Sequence, residues 1–358
     1  MQPKKPFLFV LGTRPEGIKL LPLVWEFQKR ELPFELLHTA QHAELLDTLL
    51  EKHGIFPNYR LSSHPSELIA AKCSMLSQME TMLDADRFSA LIVQGDTLSA
   101  LCGAEYGFFH RLPVVHIEAG MRTYRQENPY PEEIFRQMIS RVSWLHFCPS
   151  EDEAANLTAE GVPPERIFVT GNTFPDYWNA LPKSAVTPKQ QVLITLHRRE
   201  NLPFLEKIFE AIAELARELC EVEFLFPLHP NPAIVTRAEA HLSKISNLRL
   251  TKALPPEEFY RELHASEMVL TDSGGVQEEC IFLGKKVLVV RGVSERRTDF
   301  SFSSLVAPEE GDLREEFLTL YQKRVSDTPC DYYGNGGAAE AIAEVLGERL
   351  AVAVLKSF

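Results

Sequence analysis

The chain has 358 residues, 45% hydrophobic and 9% aromatic, with 37 Lys and Arg set against 50 Asp and Glu. Such a chain is long enough for about two domains with buried cores, which excludes a mainly disordered protein. A net charge of -13 lacks the basic footprint that nucleic acid or an anionic membrane requires, so neither partner is expected; a small phosphorylated ligand needs only a few well-placed cations.

In chain order, the apolar run after Lys4 and Lys5 is too short for a secretion signal, and Arg14 and Glu16 follow it too soon. No later segment approaches the roughly 18 apolar residues of a membrane span. Strands are predicted over 7–11, 34–39, 90–93, 114–117, 145–148 and 167–170, and then over 192–195, 223–227, 248–251, 268–271 and 287–290. Helical patterns separate them, over 18–29, 43–53, 67–83, 204–219 and 256–263. Short apolar runs, each ending in Gly, Asp or His before a helix, are the pattern of parallel sheets covered on both faces. There are too many such units for one doubly wound sheet. The expected fold class is therefore α/β, with two Rossmann-like domains and the ligand in the cleft between them.

The proline-bearing stretch 174–191 is the expected linker, dividing an N-terminal domain, 1–173, from a C-terminal domain, 174–337. A last helical pattern, about 338–358, is expected to pack back on the first domain. Cys73, Cys102, Cys148, Cys220, Cys280 and Cys330 are scattered and form no CxxC pair. Free, mostly buried thiols in a reducing cytoplasm fit that spacing better than disulfides or zinc.

The chemistry concentrates at strand ends. The first strand runs into Gly12-Thr13-Arg14-Pro15-Glu16-Gly17-Ile18-Lys19, a strand-to-helix turn whose N–H groups, with Arg14 and Lys19 beside them, suit an anion. An ordinary turn with two surface cations is the plainer reading. Asp96 and Glu118 close neighbouring strands, and Glu132 opens the helix that carries Arg136. One such carboxylate is often a helix cap, but three converging on one cleft make acid/base groups. In the second half His197 follows one strand, His229 follows the next, and Ser273-Gly274-Gly275 opens a helix as a phosphate cradle would. Glu279, farther along that helix, has the reach for a ribose diol. There is no P-loop, no GxGxxG and no GxSxG in the chain, and no His or Cys at zinc spacing beside His197 or His229.

Taken together, GTRPEGIK at 12–19, QGDT at 94–97, HIEAGMRT at 116–123, NPYPEE at 128–133, VTGNT at 169–173, LHRREN at 196–201, PLHPNP at 227–232, TDSGGVQEE at 271–279 and LGKKVLVVR at 283–291 resemble the non-hydrolysing UDP-N-acetylglucosamine 2-epimerases, in order and over nearly the whole chain. The resemblance implies a GT-B-like fold with the final helix returning to the first domain. It also implies a cytoplasmic homodimer that interconverts UDP-GlcNAc and UDP-ManNAc with neither a nicotinamide cofactor nor a metal. By motif position it assigns Arg14, His197, Ser273, Gly274, Gly275, Glu279 and Arg296 to UDP, with Phe259 near the uracil. Lys19, Asp96, Glu118, Glu132 and His197 go to the sugar and its acid/base chemistry.

Two stretches depart from the family pattern. Ser294-Glu295-Arg296-Arg297 stands where the family usually has Arg-Pro-Glu after Thr-Glu. Gln41-His42-Ala43 lacks the Arg often found after Gln-His, in a neighbourhood where many bacterial members bind a second UDP-GlcNAc as an activator. Other readings remain open. They are the same chemistry on a modified sugar such as a UDP-2,3-diacetamido uronic acid (with Arg122, Arg125 or Arg198 as the extra cation), a hydrolysing epimerase, a glycosyltransferase of similar fold, and a non-catalytic UDP-sugar sensor.

Overall fold

A computed structural model describes residues 5–182, 186–324 and 330–353, with side chains up to residue 348. The chain divides into two units, Met1–Ala180 with Tyr333–Phe358, and Leu181–Tyr332. Each is built on a sheet whose described strand pairs are all parallel.

The first unit holds β1 (Phe7–Leu11), β2 (Phe34–His38), β3 (Tyr59–Arg60), β4 (Ala90–Gln94), β5 (Val114–Ile117), β6 (Leu145–Cys148) and β7 (Ile167–Val169), in the spatial order β3-β2-β1-β4-β5-β6-β7. β1, β4, β5 and β6 are buried at every position, which is why they read as continuous apolar runs. The second unit holds β8 (Gln191–Thr195), β9 (Glu223–Leu228), β10 (Leu248–Lys252), β11 (Met268–Thr271), β12 (Lys286–Val290) and β13 (Ser303–Val306), ordered β10-β9-β8-β11-β12-β13. Its core packs Phe209, Phe224, Phe226 and Phe317 with the buried stripe Leu205, Ile208, Ile212 and Leu215 of helix Leu205–Glu218, a 3.6-residue repeat that faces the sheet. In both units the strand order reverses beside the first strand, leaving the turns after β1 and β4, and after β8 and β11, at a topological switch point.

Differences from the sequence reading have local causes. The first helix begins at Arg14 rather than near Ile18, because Thr13 and Glu16 form a capping box ahead of it. β3 is only two residues long, and β13 spells Ser-Ser-Leu-Val with half-buried positions, so neither carries a readable apolar run. Phe174–Ala180, at the start of the stretch read as a linker, is a helix of the first unit with Phe174 and Tyr177 buried. Tyr177 stacks on Trp25 at 6.0 Å. The last helix is described over Ala338–Ala353 and packs on helix Arg14–Lys29; residues 354–358 of that predicted helix lie outside the described residues. All six cysteines are free, but Cys73 and Cys220 are exposed and only Cys102, Cys148 and Cys280 are buried, so the expectation of mostly buried thiols is corrected to half of them. Among the described residues, no helix is long and apolar enough to cross a membrane.

The turn after β5 leaves least room. Gly120 lies at φ 92, and a Cβ there would stand 2.9 Å from Glu153 Cβ and closer still to the Glu153 carbonyl. Gly120→Ala is expected to lower stability by about 2 kcal/mol or more. An unchanged urea midpoint would mean that this turn relaxes freely.

Candidate active site

In the first unit the turns after β1, β4, β5 and β7 bring one set of side chains together. Glu16 is buried beneath two of them. Its Oε2 accepts the backbone N–H of Gly12 at 2.9 Å and of Thr13 at 2.7 Å, and the Thr13 hydroxyl at 2.9 Å. Its Oε1 takes the Thr97 hydroxyl at 2.5 Å. One carboxyl thus ties the turn that carries Arg14 and Lys19 to the turn that carries Asp96. Burial pushes its pKa up from 4.5 to about 7 against the pull of those four hydrogen bonds. The Asp96 turn is held from the other side by His116. That buried imidazole, pushed down to about 4 by desolvation, is neutral and donates Nε2–H to the Gly95 carbonyl at 2.8 Å.

Lys19, on the second turn of its helix, is buried and forms an ion pair with Glu118, which follows β5. Glu118 itself lies at φ 61, a left-handed conformation that is costly for a residue with a side chain and concentrates at functional sites. β4 and β5 are hydrogen-bonded neighbours, so Asp96 and Glu118 sit on adjacent strand ends; Glu118 Oε1 is 3.8 Å from where a Cβ on Gly95 would stand. Asp96 is held by Arg136, a buried residue of helix Glu132–Val142. Glu132 opens that helix. Its neighbour Glu133, fully buried, accepts the N–H of Thr123 at 2.9 Å and of Tyr124 at 3.1 Å. Asp96 and Glu118 are therefore each paired with a buried cation, Arg136 and Lys19, and Glu132 stands at the start of the helix that supplies Arg136. Arg14, the first residue of its helix, is half-buried on the same turn as the Glu16 cap.

In the second unit Asp272 does the corresponding work. It is wholly buried after β11 and accepts the backbone N–H of His197 at 3.1 Å and of Arg198 at 2.9 Å, plus the Asn201 amide at 3.1 Å. His197 Nδ1 stands 3.3 Å from the same carboxylate, and its ring stacks with His229 at 5.9 Å. Ser273 is the N-cap of helix Gly274–Leu283. A Cβ on Gly274 would strike the Arg296 guanidinium and come within 2.8 Å of Glu295 Oε1, whereas one on Gly275 meets only Ser273 Oγ at 3.9 Å. The helix N-terminus is thus closed on one side by Arg296 and open on the other, as an anion seat requires. Arg296 is braced by Glu278 at 2.7 Å and by Glu295. Glu279, buried one turn along, accepts the Tyr260 hydroxyl at 2.9 Å, and Phe259, half-buried, packs edge-on to Tyr260 at 5.6 Å.

The predicted site residues thus fall into two sets: Arg14, Lys19, Asp96, Glu118 and Glu132 in the first unit, and His197, Phe259, Ser273, Gly274, Gly275, Glu279 and Arg296 in the second, most at strand ends or helix starts, with Lys19 and Glu279 a turn into their helices and Arg296 in the loop after β12. The sequence reading left the residues beneath them without a role: Glu16, His116, Asn172, Asn201, Tyr260 and Asp272. Thr13-x-x-Glu16 was a visible capping box. The others carry no local signal, because their partners lie far away in sequence.

Two doubly wound parallel sheets, one with paired carboxylates at its carboxyl end and the other with a glycine-opened helix start, make an α/β protein whose strand ends suit a phosphorylated ligand. Residues 26–347 match the family model described as UDP-N-acetylglucosamine 2-epimerase. The Bacillus subtilis (strain 168) protein named UDP-N-acetylglucosamine 2-epimerase is 33% identical, over 96% of this chain and 95% of its own. Among solved structures, the S. aureus MnaA–UDP co-structure superposes with a TM-score of 0.91 at 31% identity, covering 97% of each chain. The Neisseria meningitidis UDP-GlcNAc 2-epimerase bound to UDP-GlcNAc gives 0.86 at 32% identity, over 96% of this chain and 100% of that one. The chain belongs to the UDP-N-acetylglucosamine 2-epimerase family, and its fold class is the GT-B-like α/β class of those structures.

The raised pKa of Glu16 has a consequence for stability. Folding favours its neutral form, so this contribution is complete below about 4.5 and is lost as pH rises to about 7. Glu16→Gln, neutral throughout, is expected to gain on the wild type between pH 5 and pH 8 in urea midpoints. An equal difference at both pH values would contradict a buried carboxyl titrating in that window.

Proposed function

We propose that the chain inverts C2 of UDP-N-acetylglucosamine, interconverting it with UDP-N-acetylmannosamine by elimination and re-addition of UDP. The observation that carries this reading is the pair of carboxylates on adjacent strand ends, Asp96 and Glu118, each held by a buried cation, Arg136 and Lys19. Family membership supplies the substrate class.

The C2 proton of the sugar is not next to a carbonyl in the ring, so simple enolisation is not open to it. If the C1–O bond breaks first, its electron pair leaves with the diphosphate, and C1 gains oxocarbenium character. The C2 proton is thereby acidified, and a carboxylate takes it, giving a 2-acetamidoglucal and UDP. In the return step a carboxylic acid delivers a proton to the opposite face of C2 while a diphosphate oxygen rejoins C1. Base and acid both need pKa values near the working pH, and Asp96, Glu118 and Glu132 are the groups proposed for them, with Lys19 balancing Glu118. Arg14, His197, Arg296 and the Ser273–Gly275 helix start would hold the departing diphosphate through cations and aligned N–H groups. Phe259 is assigned to the uracil and Glu279 to the ribose.

One of the three cations considered for a modified sugar, Arg122, is engaged elsewhere. Its side chain is wholly buried and bidentate to Glu160 at 2.7 and 2.9 Å, with Ser140 and the Met121 carbonyl completing its donors. It is a structural residue.

Asp96→Asn, Glu118→Gln and Glu132→Gln are each expected to cut epimerisation by about 100-fold or more while UDP affinity by calorimetry stays near that of the wild type. Arg14→Ala should do the reverse, weakening UDP binding. Full turnover in all three carboxylate variants would sink the acid/base assignment.

A further inference from the structure

The turn after β7 touches both halves of the Lys19–Glu118 ion pair. Asn172, only 4% exposed, donates its side-chain amide to Glu118 Oε2 at 3.0 Å, the same oxygen that Lys19 Nζ engages. The next residue, Thr173, only 2% exposed, donates its hydroxyl to the Lys19 backbone carbonyl at 2.5 Å. The turn is itself fixed. Asn172 N–H donates to the Tyr333 carbonyl at 2.7 Å, and Asn172 Oδ1 accepts the Phe174 N–H at 2.9 Å. Gly171 packs against Gly334, where a Cβ on either would meet the other's Cα at 3.2 Å.

We propose that Asn172 is a positioning residue for the C2 chemistry: its amide fixes the Oε2 edge of Glu118, so that the Oε1 edge is the one offered to the sugar. The inference rests on the epimerase reading above. The amide of Asn172 is donor-only at nitrogen, and so is the Lys19 ammonium. Two donors on Oε2 select one orientation of the carboxylate, and in it Oε1 faces the Gly95 turn that carries Asp96. The left-handed backbone at Glu118 would otherwise leave this short strand end free to relax. Asn172 touches neither nucleotide nor sugar in this account; it acts through Glu118.

The geometry separates this role from that of a turn cap. Asn172→Asp keeps an oxygen for the Phe174 N–H and keeps the backbone bond to Tyr333, but it replaces the donor on Glu118 with a second carboxylate. Asn172→Ala loses both side-chain bonds. A cap alone would make Ala the worse variant; a positioning donor makes Asp at least as damaging as Ala. The test uses the full-length protein with UDP-GlcNAc in deuterated water, with kcat, KM and C2 deuterium incorporation read by proton NMR and melting temperature taken alongside. The expected result is a fall of about 10–100-fold in kcat for Asn172→Asp, at least as large as for Asn172→Ala, with KM within threefold of wild type. Wild-type kcat in Asn172→Asp, or a rise in KM with kcat unchanged, overturns the proposal and leaves the epimerase reading standing. A wild-type protein that neither makes UDP-ManNAc nor exchanges the C2 proton overturns both.

Discussion

Where a parallel strand gives way to its helix, the carboxyl-end turn and the first turn of the helix carry N–H groups that neither strand nor helix receives. Each unit meets that constraint by burying a carboxylate beneath the turn. Glu16 collects the N–H groups of Gly12 and Thr13, together with the hydroxyls of Thr13 and Thr97. Asp272 collects those of His197 and Arg198, with the Asn201 amide. Several of the groups assigned to a ligand are carried on or just after these pinned turns: Arg14, Lys19 and Asp96 by Glu16, and His197 and Ser273 beside Asp272. Removing either carboxylate would strand several buried donors, at about 1–3 kcal/mol for each one left unpaired.

The same economy of space explains the glycines and the unusual backbone. Gly274 is small because Arg296 and Glu295 occupy the place of its side chain, and Gly120 because the Glu153 carbonyl does. Glu118 pays for a left-handed backbone, and the bonds from Lys19 and Asn172 hold it there. Left-handed backbone at a residue with a side chain is costly and clusters at functional sites.

Much of this was legible in the sequence, and the limit has a physical form. Fully buried strands such as β1 and β11 announce themselves as apolar runs, and Ser273-Gly274-Gly275 as a helix start opened by glycine. β3 and β13 escaped because a two-residue strand and a half-polar edge strand carry no periodicity to read. Most of the predicted site residues lie in motifs at the strand ends, whereas Phe259 and Arg296 lie outside those motifs and follow from the family resemblance alone. What could not be read was the layer below. Asp272 stands inside one of those motifs, yet its partners, His197 and Arg198, lie more than seventy residues earlier, and Asn172 meets Glu118 only because β7 follows β6 and β5 in the sheet. Hydrogen bonds that span such distances leave no trace in local spacing. The exposure of Cys73 and Cys220 has a related cause: apolar neighbours in sequence do not say which face of a helix Cys73 occupies, nor that Cys220 falls in the turn just past its helix.

The central claim is that paired carboxylates at the ends of β4 and β5 move a proton at C2 of a UDP-sugar. Its most direct test is proton NMR of the protein with UDP-GlcNAc in deuterated water. The account predicts a new UDP-ManNAc anomeric signal with deuterium at C2 of the product. UDP-ManNAc that keeps its original C2 hydrogen, or UDP and free ManNAc in place of the epimer, would contradict it.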